Sequence, residues 1–147
     1  RIPAYFVDGA EEEERFVVAL TAEEAQTDSY KQYIHQVVKN SKAMCDEFIK
    51  MGYKVVANGT DNHLFMLDLT STNLSGKEVQ DELDTHGITL NKNCVPGEKR
   101  SPKEASGVRI GTAAMTTKGY KEADFIKVAH TIDSIIKSMQ KNKWKKL

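Results

Sequence analysis

The chain has 147 residues, enough for one domain around a single core. Lys+Arg and Asp+Glu both number 21, so the formal charge is zero and the basic excess that nucleic acid demands is absent. No apolar run approaches the roughly 20 residues of a membrane span, and no signal-peptide pattern is visible.

Residues 1 to 20 begin with Ile2 to Val7, read as a short strand interrupted by Pro3. Asp8-Gly9 reads as a turn and Glu11 to Leu20 as a helix. From about 28 to 51 the helical signal is strong. Tyr30, Tyr33, Ile34, Val37, Val38, Ser41, Cys45, Phe48 and Ile49 recur three and four apart on one face. Ser29 with Gln32 predicts a capping box, and Gly52 a C-terminal stop. Tyr53 to Ala57 reads as a strand, Asn58-Gly59 as a turn, and His63 to Leu69 as a second, central strand.

Ser75 with Glu78 predicts another capping box, opening a short helix that ends near Gly87. Ile88 to Leu90 reads as a short strand, residues 91 to 106 as a long loop, and Val108 to Gly111 as the last strand. A loop that long inside one domain is usually functional. The final helix is expected from about 121 to 140, with Phe125, Val128, Ala129, Ile132, Ile135, Ile136 and Met139 inward. The order α, β, β, α, β, loop, β, α predicts an α+β fold, a small and mainly antiparallel sheet covered by helices on one face. The acidic run Glu11 to Glu14 and the basic tail of Lys141, Lys143, Lys145 and Lys146 read as solvated ends.

Two cysteines, Cys45 and Cys94, lie far apart, and no CxxC or paired-histidine spacing occurs. Neither a disulfide framework nor a metal site is expected. The compartment reads as reducing and cytoplasmic, with the mitochondrion left open. The chain opens on Arg1 and not on methionine, so a piece of a longer protein or a processed chain is expected.

Among residues that carry chemistry, Arg109 comes first. It sits between Gly107 and Gly111 in an otherwise apolar strand, where burial without a counter-charge is costly. Its planar fork fits a carboxylate, either a ligand's or that of a protein Asp or Glu. Asn91, Lys92 and Asn93 offer amides that donate and accept, suited to a heterocycle edge or to capping a loop. Thr60-Asp61-Asn62-His63 is either an acid/base pair or a turn cap. His35 and His130 fall on amphipathic helices and read as surface or packed residues. Cys94 has no activating neighbour in the sequence. Lys118, before Gly119 at an expected helix start, reads as exposed and unsuited to Schiff-base chemistry, which needs desolvation or a cationic neighbour. No GxGxxG, Walker or GxSxG motif occurs.

Three segments carry a resemblance. Thr60-Asp61-Asn62-His63-Leu64, Asn91-Lys92-Asn93-Cys94-Val95-Pro96 and Ser106-Gly107-Val108-Arg109-Ile110-Gly111-Thr112 resemble the C-terminal part of the serine hydroxymethyltransferases. Asn73-Leu74-Ser75-Gly76-Lys77-Glu78 and Tyr30 to Asn40 fit too, as does the sixteen-residue step from Asn93 to Arg109. The resemblance spans roughly residues 25 to 140, within a small domain taken as 21–147 behind an unmatched segment, 1–20.

That family uses pyridoxal phosphate, bound to a lysine, to move a one-carbon unit between serine and tetrahydrofolate, yielding glycine. The resemblance implies the C-terminal small domain of a fold-type I pyridoxal phosphate enzyme. It implies that Arg109 holds the carboxylate of serine or glycine, and that Asn93 and Ser101, in the loop from Cys94 to Pro102, help hold the folate. It places the cofactor lysine, after a threonine run and a histidine, in a larger upstream domain not found in this chain. The piece alone is then inactive, and the intact enzyme a homodimer or higher, with no nucleic-acid or membrane partner. Ala113 stands where the family commonly has proline, and Lys103 where some bacterial members have an aromatic residue. The alternatives are a non-enzymatic ligand- or partner-binding domain reusing this fold, or another fold-type I enzyme sharing it.

Overall fold

The computed structural model describes residues 21–145. Two units divide the chain, Arg1–His35 and Gln36–Leu147. The strand, turn, helix and acidic run expected before residue 20 lie outside the described residues. Residues 21–25 are helical, and a break at 26–27 leads into α1, Asp28–Lys50.

The box expected at Ser29 does not form. The backbone N–H of Tyr30 donates to the Thr27 hydroxyl at 3.2 Å, so the cap lies two residues earlier and Ser29 sits inside the helix. The C-terminal stop is as expected. Gly52 has φ 89°, and the Tyr53 N–H reaches back to the Phe48 carbonyl at 3.0 Å.

The expected strand at 53–57 shortens to β1, Lys54–Val55. A 3₁₀ turn, Val56–Asn58, replaces its second half, with Ala57 and Asn58 at φ 62° and 54°. β2 is Leu64–Asp68. α2, Gly76–Thr85, opens on the expected box: the Glu78 N–H donates to the Ser75 hydroxyl at 3.1 Å, and the Ser75 N–H to the Glu78 carboxylate at 2.7 Å.

Ile88 to Leu90 is not a strand. The strand, β3, is Asn91–Asn93, three residues read from sequence as loop. β4 follows at Gly107–Gly111. A five-residue helix, α3 (Ala113–Thr117), is absent from the sequence reading, and α4 runs Glu122–Trp144, past the expected end at 140. The tail is not wholly solvated either, because the Lys143 ammonium donates to the Glu78 carboxylate at 2.7 Å.

The four strands form one antiparallel sheet in the order β1-β2-β4-β3. Alternation gives it two unlike faces. Val55, Phe65, Leu67, Val108 and Ile110 point into a single core with Met44, Cys45 and Phe48 of α1, Val79 and Leu83 of α2, and Phe125, Ala129, Ile132 and Ile136 of α4. The helices therefore cover one face, as the element order predicts. Lys54, Leu64, Met66, Asp68, Gly107, Arg109, Gly111, Asn91 and Asn93 share the other face, which is open at Lys54, Asn91, Arg109 and Gly111 and buried at Asp68 and Gly107.

Candidate functional site

Arg109 occupies the middle of β4 on that open face and is exposed. The desolvation expected from its apolar neighbours does not arise, since Val108 and Ile110 turn to the core and Arg109 turns away. Its neighbours two residues along the strand on the same face are Gly107 and Gly111, which place no side chain beside the guanidinium. Across the sheet its partners are Met66 on β2 and Asn91 on β3, both uncharged. No ion pair or hydrogen bond engages the Arg109 side chain among the described residues. The nearby buried carboxylate, Asp68, is committed elsewhere: to the Lys54 ammonium at 2.6 Å, the Thr70 N–H at 2.9 Å and the Thr70 hydroxyl. Burial raises the Asp68 carboxyl, but those bonds outweigh it and leave its pKa below the ordinary value.

Arg109, Asn91, His63, Leu64, Thr89, Leu90 and Gly111 line a cleft of about 320 Å³. An open guanidinium in a cleft of that size suits a small anion.

Asn93 shares the face with Arg109 and lies opposite Gly107. Its amide donates to the Cys94 carbonyl at 3.0 Å, and it reaches the Met66 sulfur at 3.8 Å. Ser101 is exposed in a turn, its carbonyl accepting from the N–H groups of Glu104 and Ala105. No hydrogen bond links Ser101 to Arg109 or Asn93 among the described residues.

The loop between β3 and β4 has an organiser that the sequence reading missed. The Glu98 carboxylate accepts from the N–H groups of Val95, Lys99, Arg100 and Ser106 and from the Ser106 hydroxyl, the last at 2.6 Å. The Ser106 hydroxyl, then the Arg100 N–H, hold its pKa well below the usual carboxylate range, to about 2. A glutamate one residue after Pro-Gly, flanked by a turn, is the signal that points to such a cradle.

The remaining candidates fall to simpler roles. Thr60-Asp61-Asn62-His63 caps a turn: the Thr60 hydroxyl donates to the Leu64 carbonyl at 2.6 Å, and the Leu64 N–H to the Asn62 side chain at 3.0 Å. His35 is exposed, and His130 meets Glu47 at 3.0 Å on the surface. Cys94 is exposed. Lys118 is also exposed, but it follows the end of α3 and does not start a helix, because α3 ends on Thr117 and Gly119 turns at φ 94°. No lysine among the described residues is buried. Nor do the described residues include a cluster of three or more His, Cys, Asp or Glu suited to a metal ion, or a helix long and apolar enough to cross a membrane.

A family model described as serine hydroxymethyltransferase matches residues 13–132. The chain belongs to the serine hydroxymethyltransferase family. The match takes in all four strands, α1 to α3 and the first half of α4. It therefore covers every residue of the Arg109 cleft and the whole Glu98 loop of this hydroxymethyltransferase chain.

Proposed function

We propose that this chain is the C-terminal small domain of a pyridoxal phosphate-dependent serine hydroxymethyltransferase, converting serine and tetrahydrofolate to glycine and methylene-tetrahydrofolate. Arg109 holds the substrate carboxylate. Asn93, Ser101 and the Glu98-ordered loop form part of the folate site. The observation that carries this reading is the Arg109 guanidinium, exposed in the middle of β4 on the face away from the helices while the neighbouring Asp68 is already paired.

The residues present do not fit the cofactor itself. A Schiff-base lysine needs a desolvated or electropositive setting, and no described lysine is buried. Pyridoxal phosphate supplies the electron sink of the reaction when bound. In this proposal another domain holds it and packs against the open sheet face in a homodimer or larger assembly. This chain's share is to bind and orient: two parallel N–H···O bonds from Arg109 fix the carboxylate plane and so the direction of the amino-acid backbone.

The isolated chain, mixed with pyridoxal phosphate and serine, is expected to give only the visible spectrum of the cofactor alone and to transfer no one-carbon unit. In the complete enzyme, Arg109→Ala is expected to raise the serine KM by about a hundredfold or more, the loss of a charge-assisted pair of bonds. A new absorbance band from the isolated chain, or an unchanged serine KM in the variant, would overturn the proposal.

A further inference from the structure

The open sheet face treats its two cations differently. Lys54 on β1 stands directly opposite Asp68 on β2, and the two make an ion pair at 2.6 Å. Arg109 stands directly opposite Met66 on one side and Asn91 on the other, and neither carries charge. Cross-strand partners on one face have Cβ atoms about 4.5–5.5 Å apart, so a carboxylate at position 91 would reach the guanidinium. Asparagine has the shape of aspartate without its charge. It leaves the guanidinium available.

Asn91 is also an unexpected strand residue. Asparagine is depleted in strands, and β3 is Asn-Lys-Asn. The strand is held from outside its own side chains, by β4 on one side and by the Gln80 side-chain amide oxygen accepting from the Lys92 N–H at 2.7 Å. The other asparagine has internal work, since Asn93 donates to the Cys94 carbonyl. The Asn91 amide has no hydrogen-bond partner among the described residues, is exposed, and lines the same cleft as Arg109. A local violation of strand preference with no internal compensation marks a residue kept for another reason.

We infer that Asn91 is a second binding residue for the substrate carboxylate, its amide N–H donating to one of the oxygen lone pairs that the Arg109 fork leaves open. This rests on the reading of Arg109 as the carboxylate site. A carboxylate has about four acceptor positions, of which a bidentate arginine uses two. A third donor from the adjacent strand stops the carboxylate pivoting about the guanidinium.

Three variants of the complete enzyme test this, with serine as the probe. Asn91→Ala is expected to raise the serine KM about tenfold with kcat held. Asn91→Asp is expected to weaken serine binding further, because the new carboxylate captures Arg109. Asn91→Val, with a better strand former and no donor, is expected to raise Tm while weakening serine binding. A residue that only supports the strand would move both together. Native serine KM in Asn91→Ala and Asn91→Val, alongside a raised KM in Arg109→Ala, overturns the role of Asn91 and leaves the carboxylate site standing. Native KM in Arg109→Ala as well overturns both.

Discussion

Arg109 is surrounded by what is missing from it: glycine two residues either way, neutral residues across both strands, and a carboxylate nearby that is already taken. An exposed arginine with no ion pair or hydrogen bond among the described residues contributes little to folding. Arg109→Ala is therefore expected to change stability by less than about 0.5 kcal/mol in a chemical-denaturation curve, even as it removes serine binding. A loss of several kcal/mol would mean that the side chain has an internal partner. Glu98 behaves oppositely. Its carboxyl titrates near 4.5 when unrestrained and near 2 in the fold, so the folded chain binds fewer protons between those values. Its contribution is full above about pH 4.5 and is lost as pH falls toward 2. The amide-proton shifts of Arg100 and Ser106 are expected to titrate with a midpoint near 2. A midpoint at 4.5 would remove the cradle from the loop.

At the scale of elements, one constraint is a buried polar join between α1 and the segment after β4. The Asn40 amide, fully buried, donates to the Thr116 hydroxyl at 2.9 Å and the Tyr120 carbonyl at 3.0 Å, and accepts from Gln36 at 2.9 Å. The Thr116 hydroxyl passes the link on to the Thr112 carbonyl at 2.7 Å, and the Thr112 hydroxyl donates to the Val37 carbonyl at 3.0 Å. Thr116→Val keeps the shape and breaks the chain of bonds, and is expected to lower stability by about 2 kcal/mol. An unchanged unfolding midpoint would refute that. Gly76 is a second constraint. A Cβ there would meet the Gly107 carbonyl oxygen at 2.2 Å, where α2 starts against β4. Gly76→Ala is expected to cost at least about 2 kcal/mol, read as a fall in Tm.

These elements were unequally legible in the sequence. Helices α1 and α4 announced themselves because their inward residues recur three and four apart, and α2 because Ser75 and Glu78 cap it reciprocally. β3 was hidden because its side chains are polar and its pairing comes from β4 and Gln80, neither of which is adjacent in sequence. β1 was read too long because Ala57 turns left-handed without the glycine that normally signals it. α3 is too short to show a period. Of the site, Arg109 was legible as a residue but not as exposed, because alternation within a strand does not say which face the helices take.

On the scale of the molecule, the core and the cleft occupy opposite sides of a sheet one layer thick. The two cysteines report on those sides separately. Cys94 is exposed, while Cys45 is fully buried and burial, with Asp46 adding to it, pushes its thiol up to about 11. A thiol reagent is expected to modify one cysteine per native chain at once and the second only at the rate of global unfolding. Rapid modification of both would show that the core opens easily. The same layering protects the cleft. β4 alternates one outward arginine with two inward residues, Val108 and Ile110, both buried in the common core. A slip of the strand by one position would carry both aliphatic chains into water and drive a charged group into hydrocarbon. The arginine is thus kept aimed outward, with no bond of its own among the described residues, by the penalty its two neighbours would suffer if it turned.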